Sequence, residues 1–231
     1  MEKDNFLSNI MNFGCNIVDF EKDKDLNKLD QIKFAYSKTD VATKYSILAK
    51  KNDFYLADVT VKLQKIVSNR TELLNKNDEV KIANFKLKES IINLAEGNFI
   101  YDRFHNDPNI SNEIALKIKG QWIENYFIGE RGDNCFVILE NETKAKGFLL
   151  TLIRKNEVVI DLIAVDKKFR KKGIASKLIK GMINYYRKDY STYSVGTQIS
   201  NIPSINLYEK CGFNIIEYGL VWHYFNIKRI K

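Results

Sequence analysis

The sequence predicts an α/β chain of the α+β kind, in which a mixed, mostly antiparallel sheet with flanking helices follows a smaller N-terminal unit. Three observations predict it. From Cys135 onward the apolar period changes from that of a helix to that of a sheet. A strand, a basic glycine loop and an amphipathic helix then follow in direct succession over 158–186. One helix–turn–strand pattern occurs twice, at Leu48–Phe54 and Leu207–Phe213. The 231 residues suit one or two domains, and 45% hydrophobic residues suffice for a sizeable core.

Glycine (11) and proline (2) are scarce, so boundaries are read from periodicity. Gln31–Lys38 reads as a strand and Asp40–Asn52 as a helix with Asp40 as its N-cap. Phe54–Gln64 alternates through Leu56, Val59, Val61 and Leu63, with a slip near Ala57, and reads as a second strand. The polar segment Arg70–Asn77 reads as a linker. Phe85–Leu94 reads as a short helix and Gly97–Asn109 as a loop. Ile114, Ile118, Trp122 and Tyr126 then recur at i+4 on one helix face. Cys135–Leu139, Gly147–Ile153 and Val158–Val165 read as an antiparallel meander. Over Gly173–Tyr186 two i+4 rows lie side by side, Ile174-Leu178-Met182-Tyr186 and Ala175-Ile179-Ile183. Tyr193–Gln198 reads as a strand, Ser204–Lys210 as a short helix, and Phe213–Phe225 as a long last strand bent at Gly219.

The net charge of +8 comes from 30 Lys and seven Arg dispersed among 29 acidic residues. Dense basic clusters occur only at 166–172 and Lys228–Lys231. Such dispersion argues against a nucleic-acid partner. The first cluster suits an anionic small ligand. No apolar run approaches the ~20 residues that span a bilayer, so no membrane insertion is expected. No apolar stretch follows the charged N-terminus, and none reads as a signal peptide. Three cysteines, an odd number, fit a reducing compartment, and a cytoplasmic location is expected. Two histidines and three scattered cysteines build no zinc site, so no metal is expected.

The informative segment is Val158–Ala175. A strand runs through a short basic loop into a helix that opens with Arg170-Lys171-Lys172-Gly173-Ile174-Ala175. A helix N-terminus presents unpaired N–H groups and a partial positive charge. Gly173 and Ala175 keep its first turn free of bulk, so a diphosphate can approach the backbone. The plainer reading of this hexapeptide is a basic loop that merely caps a helix. The spacing is neither that of a P-loop nor that of a dinucleotide fingerprint.

The pattern Arg-x-x-Gly-x-Ala at a strand–helix junction resembles the pyrophosphate-binding motif of the GNAT family of N-acetyltransferases. The segment 197–213 resembles that family's second motif, through its Asn201, Leu207-Tyr208-Glu209-Lys210 and Gly212-Phe213. A narrower resemblance rests on Arg103–Pro108, Gln121–Asn125, the Cys135 strand, Gly196-Thr197-Gln198 and Val221–Tyr224. These are similar to the dTDP-fucosamine acetyltransferase family of amino-sugar acetyltransferases. The resemblance implies a degenerate N-terminal GNAT-like half domain over 1–70, a linker over 71–84 and a catalytic GNAT domain over 85–231. It implies acetyl-CoA as co-substrate and a nucleotide-linked 4-amino-deoxy sugar as acceptor, for surface polysaccharide synthesis. A homodimer is compatible with it. Acetylation of another amine, such as a protein N-terminus or an antibiotic, is the alternative, as is a CoA-binding module without turnover.

By this resemblance Leu162, Ile163, Ala164 and Val165 hold the pantetheine arm on a strand that splays from its neighbour. Arg170, Lys171, Lys172, Gly173, Ile174 and Ala175 hold the pyrophosphate, and Asn201 and Ser204 complete the cofactor site. Tyr208 stands beside the sulfur as general acid; its plainer role is a core aromatic. The first copy of the unit has Ala49 at the echo of Tyr208 and lacks the glycine loop, so it is expected to be catalytically empty. Arg103, His105, Asp107 and Trp122 are the expected substrate contacts. Asp161, Glu124 and Asp107 stand unranked as candidates for the general base. His105 otherwise reads as loop packing, His223 as structural, Trp122 as core and Cys211 as a buried small residue.

Overall fold

The computed structural model describes residues 1–23, 26–68, 79–96 and 98–226. The expected linker Arg70–Asn77, the loop start Gly97 and the basic cluster Lys228–Lys231 fall outside the described residues. The strands are β1 (Glu2–Lys3), β2 (Cys15–Ile17), β3 (Phe34–Thr39), β4 (Tyr55–Ile66) and β5 (Val80–Ile82), then β6 (Asn134–Asn141), β7 (Lys144–Arg154), β8 (Glu157–Val165), β9 (Thr192–Gln198) and β10 (Asn214–Phe225). The helices are α1 (Asn5–Met11), α2 (Thr43–Lys51), α3 (Lys88–Glu96), α4 (Asn112–Phe127), α5 (Ile174–Tyr186) and α6 (Ile202–Lys210). Beyond residue 85 this is the element order the periodicity predicts. The chain belongs to the α/β class, with one ten-stranded mixed sheet in the order β1-β2-β3-β10-β4-β9-β8-β7-β6-β5. Among the described residues only the β2–β3 and β8–β9 pairs are parallel.

The sheet runs through the boundary expected near residue 70. β4, from the N-terminal part, lies between β10 and β9. Its Val61 and Leu63 share one core cluster with Ile160, Leu178, Tyr193 and Val195. Residues 80–82, expected as linker, add β5 to the far edge against β6. The second large cluster covers the other face, where Ile91, Leu94 and Ile123 of α3 and α4 meet Val137, Phe148 and Leu150.

The internal echo has a structural counterpart. The units β3-α2-β4 and β9-α6-β10 exchange strands, which gives the central order β3-β10-β4-β9. Thr60 and Gly219, 159 positions apart, pair in register, and the Thr60 hydroxyl donates to the Gly219 carbonyl. The helix ends match as well. Phe54 N–H donates to Ala49 O (2.9 Å) and Phe213 N–H to Tyr208 O (3.0 Å). Asp53 and Gly212 sit between them at positive φ.

Three local expectations are corrected. Asp40 does not cap α2: its carboxylate accepts the Ala42 N–H, and Ala42 is the N-cap. The register irregularities of the last strand lie at its own Ile216 and opposite Ala57 of β4, and none falls at Gly219, where the bend is expected. Gly219 serves close approach, since a Cβ there would meet Thr60 Oγ1 at 2.9 Å. The first 17 residues, for which no element is expected, form β1, α1 and β2. Asp4 starts α1 by accepting the Leu7 N–H (2.9 Å).

Candidate active site

β8 and β9 pair in parallel from Glu157↔Thr192 to Ile160↔Val195, and there the ladder stops. β8 stays bound to β7 as far as Val165↔Gly147, and β9 stays bound to β4 as far as Gln198↔Thr60. Past the fork, 161–165 therefore has a ladder on one side only. The cause is local. Asp161 is an extra residue against β7, a β-bulge between Leu150↔Leu162 and Thr151↔Ile160. The bulge reverses the faces: Val158 and Ile160 pack in the α5 cluster, whereas Leu162 and Ala164 pack in the α3–α4 cluster. Asp161 is held in place by donors from Trp122 Nε1 (2.7 Å), the Tyr126 hydroxyl (2.6 Å) and both Arg131 Nε and Nη2 (2.9 Å each). A cavity of about 500 Å³ opens at the fork.

At the far end of β8 the chain enters the basic loop. Lys171 (φ +59) and Gly173 (φ +77) both take left-handed backbone. Gly173 is the N-cap of α5 and supplies no side-chain bond to its first N–H groups. A Cβ on Gly173 would meet nothing within 4 Å, so space stands open in front of those donors. This arrangement fits a diphosphate. Arg170 is engaged differently: its guanidinium bridges Val165 O (3.3 Å) and Asn98 Oδ1, tying the loop to the end of α3.

The structure brings the expected residues to two places. Leu162, Ile163, Asn201, Ser204 and Tyr208 line the cavity. Ala164, Val165 and Arg170–Ala175 lie beyond it, along β8 and the start of α5. Tyr208 is 3% exposed, and burial, with Cys211 nearby, pushes its hydroxyl well above the usual phenol range. Asn201 is occupied at both ends of its amide: Oδ1 accepts the Ser204 N–H (3.3 Å) as N-cap of α6, and Nδ2 donates to Thr197 Oγ1 (3.2 Å).

Of the expected substrate contacts, Arg103 and Trp122 line the cavity, but His105 and Asp107 do not. Asp107 is buried, accepts from His223 Nδ1 (2.5 Å) and the Tyr55 hydroxyl (2.7 Å), and belongs to a support network. Burial alone would raise its carboxyl, but these bonds and the Asn109 N–H hold it below the usual range. Burial pulls His223 down to about 4, so a neutral ring donates to Asp107 and accepts from Arg103 (3.2 Å). Arg103 lies over the Tyr36 ring at 4.0 Å and the Phe104 ring at 4.5 Å. His105 bonds Asp102 (2.7 Å) within its own loop. Among the base candidates, Asp161 is saturated by donors, Asp107 is walled off, and Glu124 pairs with Lys88 (2.9 Å) outside the cavity.

Several cavity residues escape the sequence reading, among them Lys38 on β3 and Asp58 on β4. Lys38 meets water in the cavity but is surrounded by protein. Desolvation, then Arg103, Arg154 and Arg131, bring its amine down to about 8. The period-2 pattern of β4 puts Asp58 on the face opposite Val61 and Leu63, but nothing in the sequence says that this face meets β9. Among the described residues no group of three His, Cys, Asp or Glu gathers as for a metal, and no helix is long and apolar enough to cross a membrane.

The family model described as acetyltransferase (GNAT) matches residues 98–213, which include the fork, the glycine loop and Tyr208. The chain belongs to the GNAT acetyltransferase family. This GNAT chain is 31% identical over 144 residues, 62% of its length, to the spore coat polysaccharide biosynthesis protein SpsD of Bacillus subtilis (strain 168), of which it covers 49%. The chain spans about half the length of the curated relatives it matches. Its fold is like that of a functionally unknown conserved protein from Staphylococcus epidermidis (TM-score 0.62, 11% identity, 90% of this chain and 79% of that one). It is also like that of a tandem GNAT protein from the clavulanic acid biosynthesis pathway (TM-score 0.55, 8% identity, 87% of this chain and 66% of that one).

Proposed function

We propose that this chain is an acetyl-CoA-dependent N-acetyltransferase that acetylates the amino group of a nucleotide-linked 4-amino-deoxy sugar, for polysaccharide synthesis. The observation that carries the acetyl-transfer reading is the fork. It leaves backbone groups of 161–165 without a partner strand beside a cavity lined by Tyr208, with an uncapped helix start at the end of the same strand. β8 offers hydrogen bonds to an amide-bearing arm and an N–H to a developing oxyanion. The α5 N-terminus, Lys171 and Lys172 hold the diphosphate. Acetyl-CoA supplies the activated acyl group, and Tyr208 gives a proton to the leaving sulfur.

The sugar reading is supported by the polysaccharide-biosynthesis relative and by charge. Lys38, Arg103 and Arg154 line the cavity, and none of them pairs with a carboxylate among the described residues. A phosphate-bearing acceptor satisfies such cations, whereas a cationic peptide does not. The test is turnover. Pure protein with acetyl-CoA and a panel of nucleotide-linked amino sugars should yield one acetylated sugar by mass spectrometry. Acetylation of simple or peptide amines with no sugar product would overturn the sugar assignment.

A further inference from the structure

The bulge at Ala57 resets the alternation of β4, so that Asp58, Thr60 and Lys62 face the cavity while Val61 and Leu63 enter the core. Asp58 lies just past the last β4–β9 pair, where the Ile199 N–H donates to Val59 O (2.8 Å), at the open end of the fork. Its Oδ2 is buried and accepts no hydrogen bond. A buried carboxylate oxygen without a donor is costly, and native structures keep such groups sparingly.

The other charged groups around the cavity are accounted for. Asp161 of β8 is saturated by Trp122, Tyr126 and Arg131. Asp102 of the loop before α4 pairs with His105 and with Lys119 of α4 (3.7 Å). Glu157 of β8 pairs with Lys62 of β4 (3.4 Å). Glu217 of β10 is exposed. The remaining cations are Lys38 of β3, Arg103 of the loop and Arg154 of β7, and the hydroxyls are those of Tyr101, Tyr208 and Tyr218 together with Thr60, Ser194, Thr197 and Ser204, none of them ionised at neutral pH.

We propose that Asp58 is the general base that takes the proton from the acceptor nitrogen. This rests on the acetyltransferase reading above. As the nitrogen–carbon bond forms and the carbon–sulfur bond breaks, the N–H proton passes to the Asp58 carboxylate. The sulfur takes its proton from Tyr208. Amide and thiol leave, and both side chains exchange their protons with water. Burial raises the Asp58 carboxyl to about 6 against the opposing Val59 N–H and Gln198, with Asp102 adding and Arg103 subtracting. Such a group is ionised at neutral pH and still basic enough to accept a proton.

The test compares wild type with Asp58→Asn and Asp58→Ala, on a nucleotide-linked amino sugar and separately on simple amines. Asp58→Asn should lower kcat by roughly 10²–10⁴-fold and abolish the acidic limb near pH 6, with acetyl-CoA affinity unchanged within about threefold. Formate should restore part of the activity of Asp58→Ala. Thermal stability should move the other way. A carboxyl whose folded pKa is raised destabilises the fold increasingly as pH climbs from its unfolded value toward its folded one. The Asn variant should therefore melt above wild type at pH 7, with the gap closing near pH 4. An Asn variant that keeps kcat and the limb overturns the proposal, as does one that loses activity and melts below wild type at pH 7. If only simple amines are turned over, the sugar reading fails and Asp58 is judged on those amines. A wild type that acetylates no amine overturns both.

Discussion

Tyr208→Phe is expected to lower kcat by roughly 10²–10⁴-fold while leaving acetyl-CoA affinity within about threefold, under ~0.7 kcal/mol. The departing thiolate has an ordinary pKa near ~8.5, so at neutral pH it gains from a donor placed at the sulfur. Tyr208 is 3% exposed and lines the cavity, and burial keeps its hydroxyl protonated. Transfer from so weak an acid is completed only as the carbon–sulfur bond breaks, which is when the donor is needed. The ring packs against Phe213 at 5.9 Å, and Phe preserves that contact. Melting temperature should therefore hold. Wild-type turnover in the Phe variant would mean that the sulfur takes its proton from water. A lower melting temperature with normal turnover would mean that Tyr208 only packs.

Leu63→Ala is expected to cost about 2–5 kcal/mol in a single cooperative transition that includes the catalytic part. Leu63 is fully buried on β4, in the cluster that also holds Ile160, Tyr193 and Val195 of the fork. Its removal leaves a cavity beneath β9, not in a separate N-terminal body. Denaturant melts followed by tryptophan emission and by far-UV circular dichroism should coincide. Two separated transitions, with only the first moved by the substitution, would show that the N-terminal part folds on its own.

Much of this was legible in the residues. The meander, the glycine loop and the two rows of α5 announce themselves by period and spacing, because one chain segment sets each of them. The slip near Ala57 is visible as a break in alternation and proves to be a bulge. The exchange of β4 and β10 between the two units was not legible, because strand neighbours are chosen by long-range pairing. Asp58 and Lys38 were missed for the same reason: each lies on a strand read as part of another domain. Asp107 and His223 carry the residue types of catalysis. Yet the fold spends both on holding Arg103, and only geometry separates that use from chemistry. Asp161 is the converse. Its place on an apolar strand marked it, but its role is to anchor the bulge that opens the fork.

One cofactor site per chain is expected, formed by the fork and the Gly173 loop. The most direct measurement is a calorimetric titration of the full chain with acetyl-CoA, repeated on Gly173→Phe. Gly173 has φ +77 and open space where a Cβ would stand, so a bulky side chain both strains the loop and fills the place of the diphosphate. The second unit provides Tyr208 and is preceded by the glycine loop, whereas the first offers Ala49 at the matching position and has no such loop before it. One acetyl-CoA per chain is expected, with affinity falling at least ~10-fold, about 1.4 kcal/mol, in the variant. Two equivalent sites per chain, or an unchanged affinity in Gly173→Phe, would contradict the account.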